Sequence, residues 1–373
     1  MNALDNEAHN VNENELLFAI ALSMHAGFTP SQKLNLLQYF QSAEKVFKYH
    51  QSPQNQWPFR EAELELNFIQ KHSIQCFSVV DKHYPNRLAQ IKDPPTLLYV
   101  KGSDHFNLPQ LISIVGTRQH TQQVKKVVHE LLAGLNHLKI GVISGMALGV
   151  DGIAHEAALQ YKMPTWGILA NGLDQIYPNQ HRRLAIEMLR NNGGLITECP
   201  QKTPTLPYQF VKRNRIVAGM SDATIVIESN IEGGSMITAK LARGYDREVF
   251  AVPGKIHDVK SKGCLWLIKN NIATMYYDPI QLLENMNWPI QNANQHLLNN
   301  TQSITQFSPL LQEQLLDPIL SSIYSYIQNQ SVIHTDQIAI DLHLESSILA
   351  GYLMELELKG LIHLLAGNRY SCT

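Results

Sequence analysis

The sequence has few cysteines and no long hydrophobic run, and each absence excludes a class of protein. Its four cysteines lie far apart without a C-x-x-C pair, which argues against a disulfide framework and against a zinc site, so we expect reduced thiols. No apolar run approaches the roughly 20 residues that a membrane helix needs. Asp5 and Glu7 precede the first hydrophobic stretch, which is untypical of a signal peptide. We therefore expect a cytoplasmic protein without a membrane partner.

The sequence also lacks a strong net charge. Its net charge is −2 over 373 residues, which argues against binding of nucleic acid by bulk charge. The charge is unevenly distributed, however. Residues 112–260 contain 17 Lys and Arg against 12 Asp and Glu, residues 1–75 contain 5 against 8, and residues 310–373 contain 2 against 7. We expect any polyanion to be bound by the middle of the chain.

Three glycine-bearing turns organise that middle part. They lie at residues 115–118, 144–152 and 232–239, and each follows an apolar run of strand length and leads into a helical pattern. Such alternation predicts a parallel sheet covered on both faces, in a Rossmann-like doubly wound α/β fold. The carboxyl edge of such a sheet presents helix N-termini and backbone N–H groups, which attract anions. Phosphate is the expected ligand.

The chain is predicted to comprise four segments. Residues 1–75 form a small helical module, similar to a SAM or helix-hairpin-helix unit, and residues 76–278 form the extended Rossmann-like domain. Residues 279–309 are a linker rich in Asn and Gln, and residues 310–373 have the three helices and hairpin of a winged helix. Both terminal segments carry few cations, so we favour protein contacts over DNA contacts for them.

Arg118 is the most informative single residue. It follows the first strand and precedes a helix, where a guanidinium can bind a phosphate through two hydrogen bonds. The alternative is an ion pair with a neighbouring carboxylate such as Asp151. Asp151 and His155, four residues apart, are interpreted as a carboxylate at a helix start with an imidazole beside it.

The segment from Pro207 to Arg215 interleaves aromatic and cationic residues. Phe210, Lys212, Arg213 and Asn214 form a set that suits single-stranded nucleic acid, in which bases stack on rings and cations follow the backbone. The alternative is a helix with a solvated basic face and Phe210 in the core.

The third turn opens a helix whose N-terminus can bind an anion through Gly233, Gly234 and Ser235, with Lys240 farther along.

Motifs of two enzyme classes are missing from the sequence. No G-x-G-x-x-G fingerprint or ribose-binding acid is present, which weakens a role for NAD. Ser144 and Ser235 both lack the G-x-S-x-G context of a hydrolase.

Six stretches together resemble the DNA-processing protein A family, DprA or Smf, over about residues 80–275. They are Val115-Gly116-Thr117-Arg118, the Ser144–Asp151 turn, Asn171-Gly172-Leu173-Asp174 with Tyr177-Pro178 and His181, Arg213-Asn214-Arg215, Gly233-Gly234-Ser235 with Ile237-Thr238-Ala239, and the segment from Arg247 to Gly254. The terminal segments are also similar to the family's variable ends.

The resemblance implies a bacterial protein that binds incoming single-stranded DNA in natural transformation, protects it and helps to load RecA. It implies a homodimer through the Rossmann-like domain, and no catalytic reaction, metal or cofactor. The implied DNA pocket comprises Arg118, Ser144, Gly145, Phe210, Arg213 and Asn214, with the turn 233–235 nearby. Pro207 lies where the family has a lysine, which leaves Lys212 as a substitute. Gly263-Cys264-Leu265 replaces a family Gly-x-Asn and is assigned no role.

Two alternatives remain open. Related folds include phosphoribohydrolases, whose Pro-Gly-Gly-x-Gly-Thr-x-x-Glu turn places a glutamate on the ribose, but residues 232–239 lack that proline and that glutamate. The middle domain could also bind a small nucleotide as a sensor. Since fold analogy alone does not support an enzyme, we favour DNA binding.

Overall fold

The computed structural model describes residues 13–50, 56–290, 318–330, 333–358, 361–365 and 368–372. The chain divides into two compact units, residues 1–294 and residues 295–373. None of the described helices is both long enough and apolar enough to cross a membrane.

The first unit begins with four helices, which confirms the predicted helical character of this part. They are α1 (Glu13–Met24), α2 (Pro30–Phe40), α3 (Ala43–Tyr49) and α4 (Phe59–Lys71). A capping box between Thr29 and Gln32 starts α2, since each side chain accepts from the other's backbone N–H. The apolar faces of these helices share one core with Leu97 and Tyr99, in the strands that follow. No division therefore separates the helical module from the next segment at residue 75.

A nine-stranded sheet forms the centre of the first unit. Its strands are β1 (Gln75–Ser78), β2 (Leu97–Gly102), β3 (Gln110–Val115), β4 (Ile140–Gly145), β5 (Thr165–Ile168), β6 (Gly194–Thr197), β7 (Ala223–Val226), β8 (Glu248–Ala251) and β9 (Thr274–Met275). Their spatial order is β1-β2-β6-β5-β4-β3-β7-β8-β9. The seven strands from β6 to β9 in this spatial order pair parallel with one another. At the other end of the sheet, β2 pairs antiparallel with both β1 and β6. The predicted Rossmann-like sheet is confirmed, and β1 and β2 extend it.

Helices cover both faces of the sheet. They are α5 (Asn86–Ala89), α6 (Gln123–Leu135), α7 (Val150–Gln160), α8 (Arg182–Arg190), α9 (Pro207–Gly219), α10 (Gly234–Gly244), α11 (Lys262–Lys269) and α12 (Pro279–Asn285). One core joins α6, α7 and α12 to the sheet, and another joins α9, α10 and α11. Because Leu282 and Leu283 of α12 are fully buried, the predicted linker cannot begin at residue 279. Residues 291–309 lie outside the described part.

The winding direction of the sheet changes at β3. The chain passes from β3 through β4 and β5 to β6 in one direction, and returns to place β7 on the other side of β3. In open α/β sheets, ligands bind beyond the carboxyl ends of the strands where the order reverses. The turns after β3, β4 and β7 all lie at this position.

The described residues of the second unit form three helices and a three-stranded antiparallel sheet. The helices are α13 (Pro318–Gln330), α14 (Thr335–Asp341) and α15 (Ser346–Leu358), and the strands are β10 (Ile333–His334), β11 (Ile362–Leu365) and β12 (Arg369–Cys372), in the order β10-β12-β11. Ile323, Ile338 and Leu353, one from each of these helices, pack in a shared core. The predicted winged-helix architecture is confirmed.

Glu65 of α4 joins the N-terminal helices to a loop at the carboxyl edge of the sheet. Its carboxylate is buried and accepts hydrogen bonds from the backbone N–H of Gln201 at 3.0 and 3.2 Å. Burial raises the pKa of Glu65 from its usual value to about 7, and Asp174 adds to this increase while Gln201 opposes it. The folded protein therefore holds this proton more tightly than the unfolded chain does.

Glu65→Gln is expected to stabilise the protein at pH 8 but not at pH 4. A carboxyl group whose pKa is raised on folding stabilises below its unfolded value of about 4.5, and this contribution is lost as the pH rises through about 7. Removing the charge should increase the free energy of unfolding at pH 8 by about 2 kcal/mol. Urea unfolding at both pH values measures this, with the exposed Glu63→Gln as control. An equal gain at both pH values would contradict the expectation.

Candidate functional site

A cavity of about 670 Å³ lies at the carboxyl ends of β3, β4 and β7. The turns that follow these strands form one side, and α9 forms the other. Eight of the eleven residues predicted for the site line it: Arg118, Gly145, Phe210, Arg213, Asn214, Gly233, Gly234 and Ser235. Four separate sequence motifs therefore meet at one place.

Backbone hydrogen bonds join the turns to one another. The N–H of Thr117 donates to the carbonyl of Glu228 at 2.7 Å, and the carbonyl of Thr117 accepts from Val150 at 3.2 Å. Gly149 permits this approach, since its φ is +85° and a Cβ there would lie 2.4 Å from the carbonyl oxygen of Thr117. The Glu228 carboxylate also accepts from the N–H of Thr121 at 2.9 Å. The cavity rim is thus held by contacts within the fold.

Arg118 extends into the cavity above an aromatic ring. Its guanidinium carbon lies 5.5 Å from the ring centroid of Phe210, and the ring of Tyr177 lies 5.7 Å from Phe210 at 58°. Arg118 is exposed, and in the described part of the chain no carboxylate lies within ion-pair distance of it. The alternative pairing with Asp151 is therefore not observed. The guanidinium remains available to an anionic ligand.

A buried pair of opposite charges lies beneath the second turn. Arg213 and Asp151 are 6% and 8% exposed, and both contact the space where a Cβ of Gly145 would lie. Arg213 donates to the carbonyl of Ile168 at 2.6 Å, and Asp151 accepts from the N–H of Ala147 at 3.2 Å. Burial raises the pKa of Asp151 and lowers the pKa of Arg213, while the attraction between the two opposes both shifts. The attraction between the two groups offsets part of the cost of burying them.

His155 fixes the same turn from below. Burial lowers its pKa to about 4, so the ring is neutral near pH 7. Its Nε2 donates to the carbonyl of Gly145 at 2.8 Å, because a carbonyl can only accept. Nδ1 lies 2.6 Å from the hydroxyl of Thr165, which also lies 3.0 Å from the carbonyl of Val142. His155 therefore positions the Gly145 backbone, in agreement with its interpretation as a structural imidazole.

Two helices direct their N-termini towards the cavity. Helices α7 and α10 have Gly149 and Gly233 as N-caps, and neither cap supplies a side-chain hydrogen bond. The side-chain amide of Asn214 donates to the carbonyl of Gly234 at 3.3 Å, which ties α9 to the start of α10. Uncapped N-termini carry partial positive charge and backbone donors that favour anions. The site is suited to phosphate groups.

Three predicted site residues lie elsewhere. Ser144 is fully buried, and its hydroxyl donates to the carbonyl of Ile114 at 2.6 Å, so it supports the turn without reaching the cavity. Lys212 lies on another face of α9, 3.2 Å from the Glu198 carboxylate. Lys240 lies 4.9 Å from the ring centroid of Trp266. The expectation that these side chains meet a ligand in this cavity is not supported.

The structure adds residues that sequence reasoning did not assign to the site. Tyr177, Thr117, Gln119 and Asn230 line the same cavity. Tyr177 is 47% exposed, in the loop between β5 and α8. The sequence signal that could have identified Tyr177 is an aromatic residue in a polar loop that follows a parallel strand. In the residues that the structure describes, no group of three or more His, Cys, Asp or Glu could hold a metal ion.

Comparison with protein families gives two matches. Residues 75–287 match the model of DNA recombination-mediator protein A, and residues 311–368 match the DprA winged helix domain. Protein Smf of Escherichia coli strain K12 is 35% identical over 230 residues, which are 62% of this chain and 61% of that protein. The chain thus spans less than two thirds of this relative's length.

Solved structures of DNA processing proteins are similar to the chain. The X-ray structure of DNA processing protein A from Streptococcus pneumoniae has a TM-score of 0.62 and 29% identity, over 72% of this chain and 97% of the other. A structure of DNA processing protein A from Helicobacter pylori, described for its unique single-stranded DNA binding mode, has a TM-score of 0.51 and 28% identity, over 57% and 95%.

Proposed function

Because the chain belongs to the DNA recombination-mediator protein A family, we propose that it binds single-stranded DNA in the cavity beyond β3, β4 and β7. The observation that carries the proposal is the placement of the unpaired Arg118 guanidinium over Phe210, with Tyr177 beside it. Such a cluster offers a phosphate contact and two ring faces for bases. The N-termini of α7 and α10 supply further phosphate contacts.

Single strands suit this cavity better than duplex DNA. Unstacked bases can reach the rings of Phe210 and Tyr177, whereas the bases of a duplex are stacked on one another. A protein that recognises the sequence of duplex DNA needs an α-helix or a β-ribbon that enters a groove of the DNA. Here α9 lines a recessed cavity instead. Base stacking on rings also tolerates any sequence, which suits a protein that handles DNA of unknown origin.

Binding is expected to favour a single strand over a duplex of the same sequence and to weaken steeply with salt. Each neutralised phosphate releases counterions, so the logarithm of the affinity should fall with the logarithm of salt with a slope of about −0.7 per phosphate contact. Fluorescence anisotropy at several salt concentrations measures both properties. Equal affinity for the duplex, or an affinity independent of salt, would contradict the proposed function.

The proposed role is DNA processing during natural transformation. A bound strand is shielded from nucleases along the part that lies in the cavity, and the protein then helps RecA to assemble on that strand. The family relation and the strand-sized cavity support this role. The lag before RecA filaments grow on coated DNA, with and without this protein, tests the second step. An unchanged lag would refute it.

We propose that no bond is made or broken at this site. The three turns present backbone donors and the Arg118 guanidinium, which has no carboxylate partner among the described residues, and the neutral His155 is occupied in holding Gly145. Incubation with nucleoside monophosphates, followed by chromatography for free base, tests the enzymatic alternative. Appreciable release of base would favour a phosphoribohydrolase instead.

Removing residues 310–373 is expected to leave most of the affinity for single-stranded DNA intact, because this segment carries 2 cations against 7 acidic residues. The shortened protein should also remain a homodimer through the Rossmann-like domain. The support for this dimer is the exposed edge strand β9 with the exposed side chains Met275 and Tyr277. Anisotropy and light scattering on the shortened protein measure the two properties. A large loss of affinity would mean that the winged helix binds DNA.

A further inference from the structure

A second cavity, of about 450 Å³, lies between the N-terminal helices and the sheet domain. Helix α2 forms one wall and α9 forms the opposite wall, with residues 92–97 at the base. All of these elements belong to the first compact unit. The proposed DNA site and the established family relation do not account for this cavity.

The second cavity has an excess of positive charge. Its lining includes the cations Lys33, Lys92, Lys212 and Arg215 and the acidic residues Asp93 and Glu198. Glu198 forms ion pairs with two of the cations, since one of its oxygens lies 3.2 Å from Lys212 and 2.5 Å from Arg215. This leaves two lysines without a carboxylate partner in the described part of the chain, Lys33 and Lys92.

Lys33 is an unusual lysine because it is half-buried and its Nζ donates to a carbonyl, that of Ser23, at 2.7 Å. Burial, together with the positive charge of Lys212 on the opposite wall, lowers the pKa of Lys33 to about 8. The neighbouring His25 is also affected, since the charge of Lys33 contributes to a lowered pKa there. An anion between Lys33 and Lys212 would relieve this repulsion.

Helix α9 is the common wall of the two cavities. Phe210, Arg213 and Asn214 face the first cavity, Lys212 and Arg215 face the second, and Val211 lines both. A helix with its side chains is about 10 Å across, so a strand that crosses it needs only a few nucleotides. Tyr208 and Val211 are 59% and 48% exposed on this helix. A strand that leaves the first cavity can thus cross an apolar surface and reach a second group of cations.

We propose that the second cavity binds phosphates of the same single strand, beyond the nucleotides held at Arg118. The inference rests on the proposed function, since the first cavity must hold the strand. It gives Lys212 a role in DNA binding that the first cavity does not supply. The proposed path of the bound strand passes over α9 and ends between Lys33 and Lys92, so the N-terminal helices complete the site.

The test compares a short oligonucleotide of about six thymidines with a long one of about twenty, which bracket common site sizes. Lys92→Glu is the main variant, because Lys92 is exposed and its replacement does not disturb a packed contact. Lys33→Ala is a second variant. Lys139→Glu is the matched control, since Lys139 is exposed immediately before β4, at the opposite edge of the sheet.

Lys92→Glu is expected to weaken binding of the long oligonucleotide about fivefold relative to the control, to leave the short one unchanged, and to reduce the salt slope by about 0.7. Equal effects on both lengths, or none on the long one, would overturn the inference while the proposed function stands. If thymidine monophosphate alone binds with the same dependence on Lys92 and the long strand does not, the cavity serves a free nucleotide and the inference is wrong. If the wild type binds neither oligonucleotide, the proposed function fails and the inference fails with it.

Discussion

Arg118→Ala is expected to weaken the binding of single-stranded DNA by about 10- to 100-fold. A hydrogen bond to a charged group contributes about 1.5–3 kcal/mol, and a guanidinium can make two such bonds to one phosphate. Arg118 lies over Phe210, which orients it towards the strand. Because the contact is made to phosphate, the loss should be similar for every DNA sequence.

The same substitution should leave the folded protein as stable as before. Arg118 is exposed and has no carboxylate partner in the described residues, so its removal disrupts no ion pair. Arg190→Ala is the matched control, because Arg190 is exposed, lies at the far end of α8 and forms a surface ion pair with the exposed Glu187 at 3.0 Å. Anisotropy titration and thermal melting of both variants separate binding from folding. Undiminished affinity of Arg118→Ala would refute the proposed site.

Local sequence patterns predicted the sheet edge because its geometry is determined locally. In a parallel sheet, the turn that follows a strand lies at the carboxyl edge, so the position of Arg118, Gly145 and Gly233 at this edge was predicted without any knowledge of packing. The basic segment of α9 was also predicted as a helix. The sequence pattern did not predict which way each side chain faces, since Lys212 and Arg213 are adjacent in sequence but line different cavities.

The remaining errors depend on contacts between distant segments. Nothing near Ser144 in sequence shows that its hydroxyl donates to Ile114 in the neighbouring strand. The second cavity exists only because α2 packs opposite α9, and a sequence separation of about 180 residues carries no local signal for that contact. The start of the linker was misplaced for the same reason, because burial of α12 depends on its packing against α6.

Arg213→Met is expected to lower the free energy of unfolding by about 3 kcal/mol, the largest change in stability expected here. The buried guanidinium donates to the carbonyl of Ile168 at 2.6 Å, and its removal leaves the buried Asp151 carboxylate without a positive partner. Methionine keeps most of the packing volume, so no large cavity is created. The loss therefore reports the charge interaction together with the hydrogen bond to Ile168. Urea unfolding of the protein without residues 310–373 measures it, because a single compact unit then unfolds.

The double variant Asp151→Asn with Arg213→Met separates this interaction from simple damage to the core. Removing both charges removes the desolvation cost together with the attraction, so the double variant should be more stable than the sum of the single effects predicts, by about 2 kcal/mol. Methionine fills a similar volume to the stem of arginine. Additive effects would show that the two charges do not depend on each other. The turn at Gly145 would then be held chiefly by the hydrogen bond from His155.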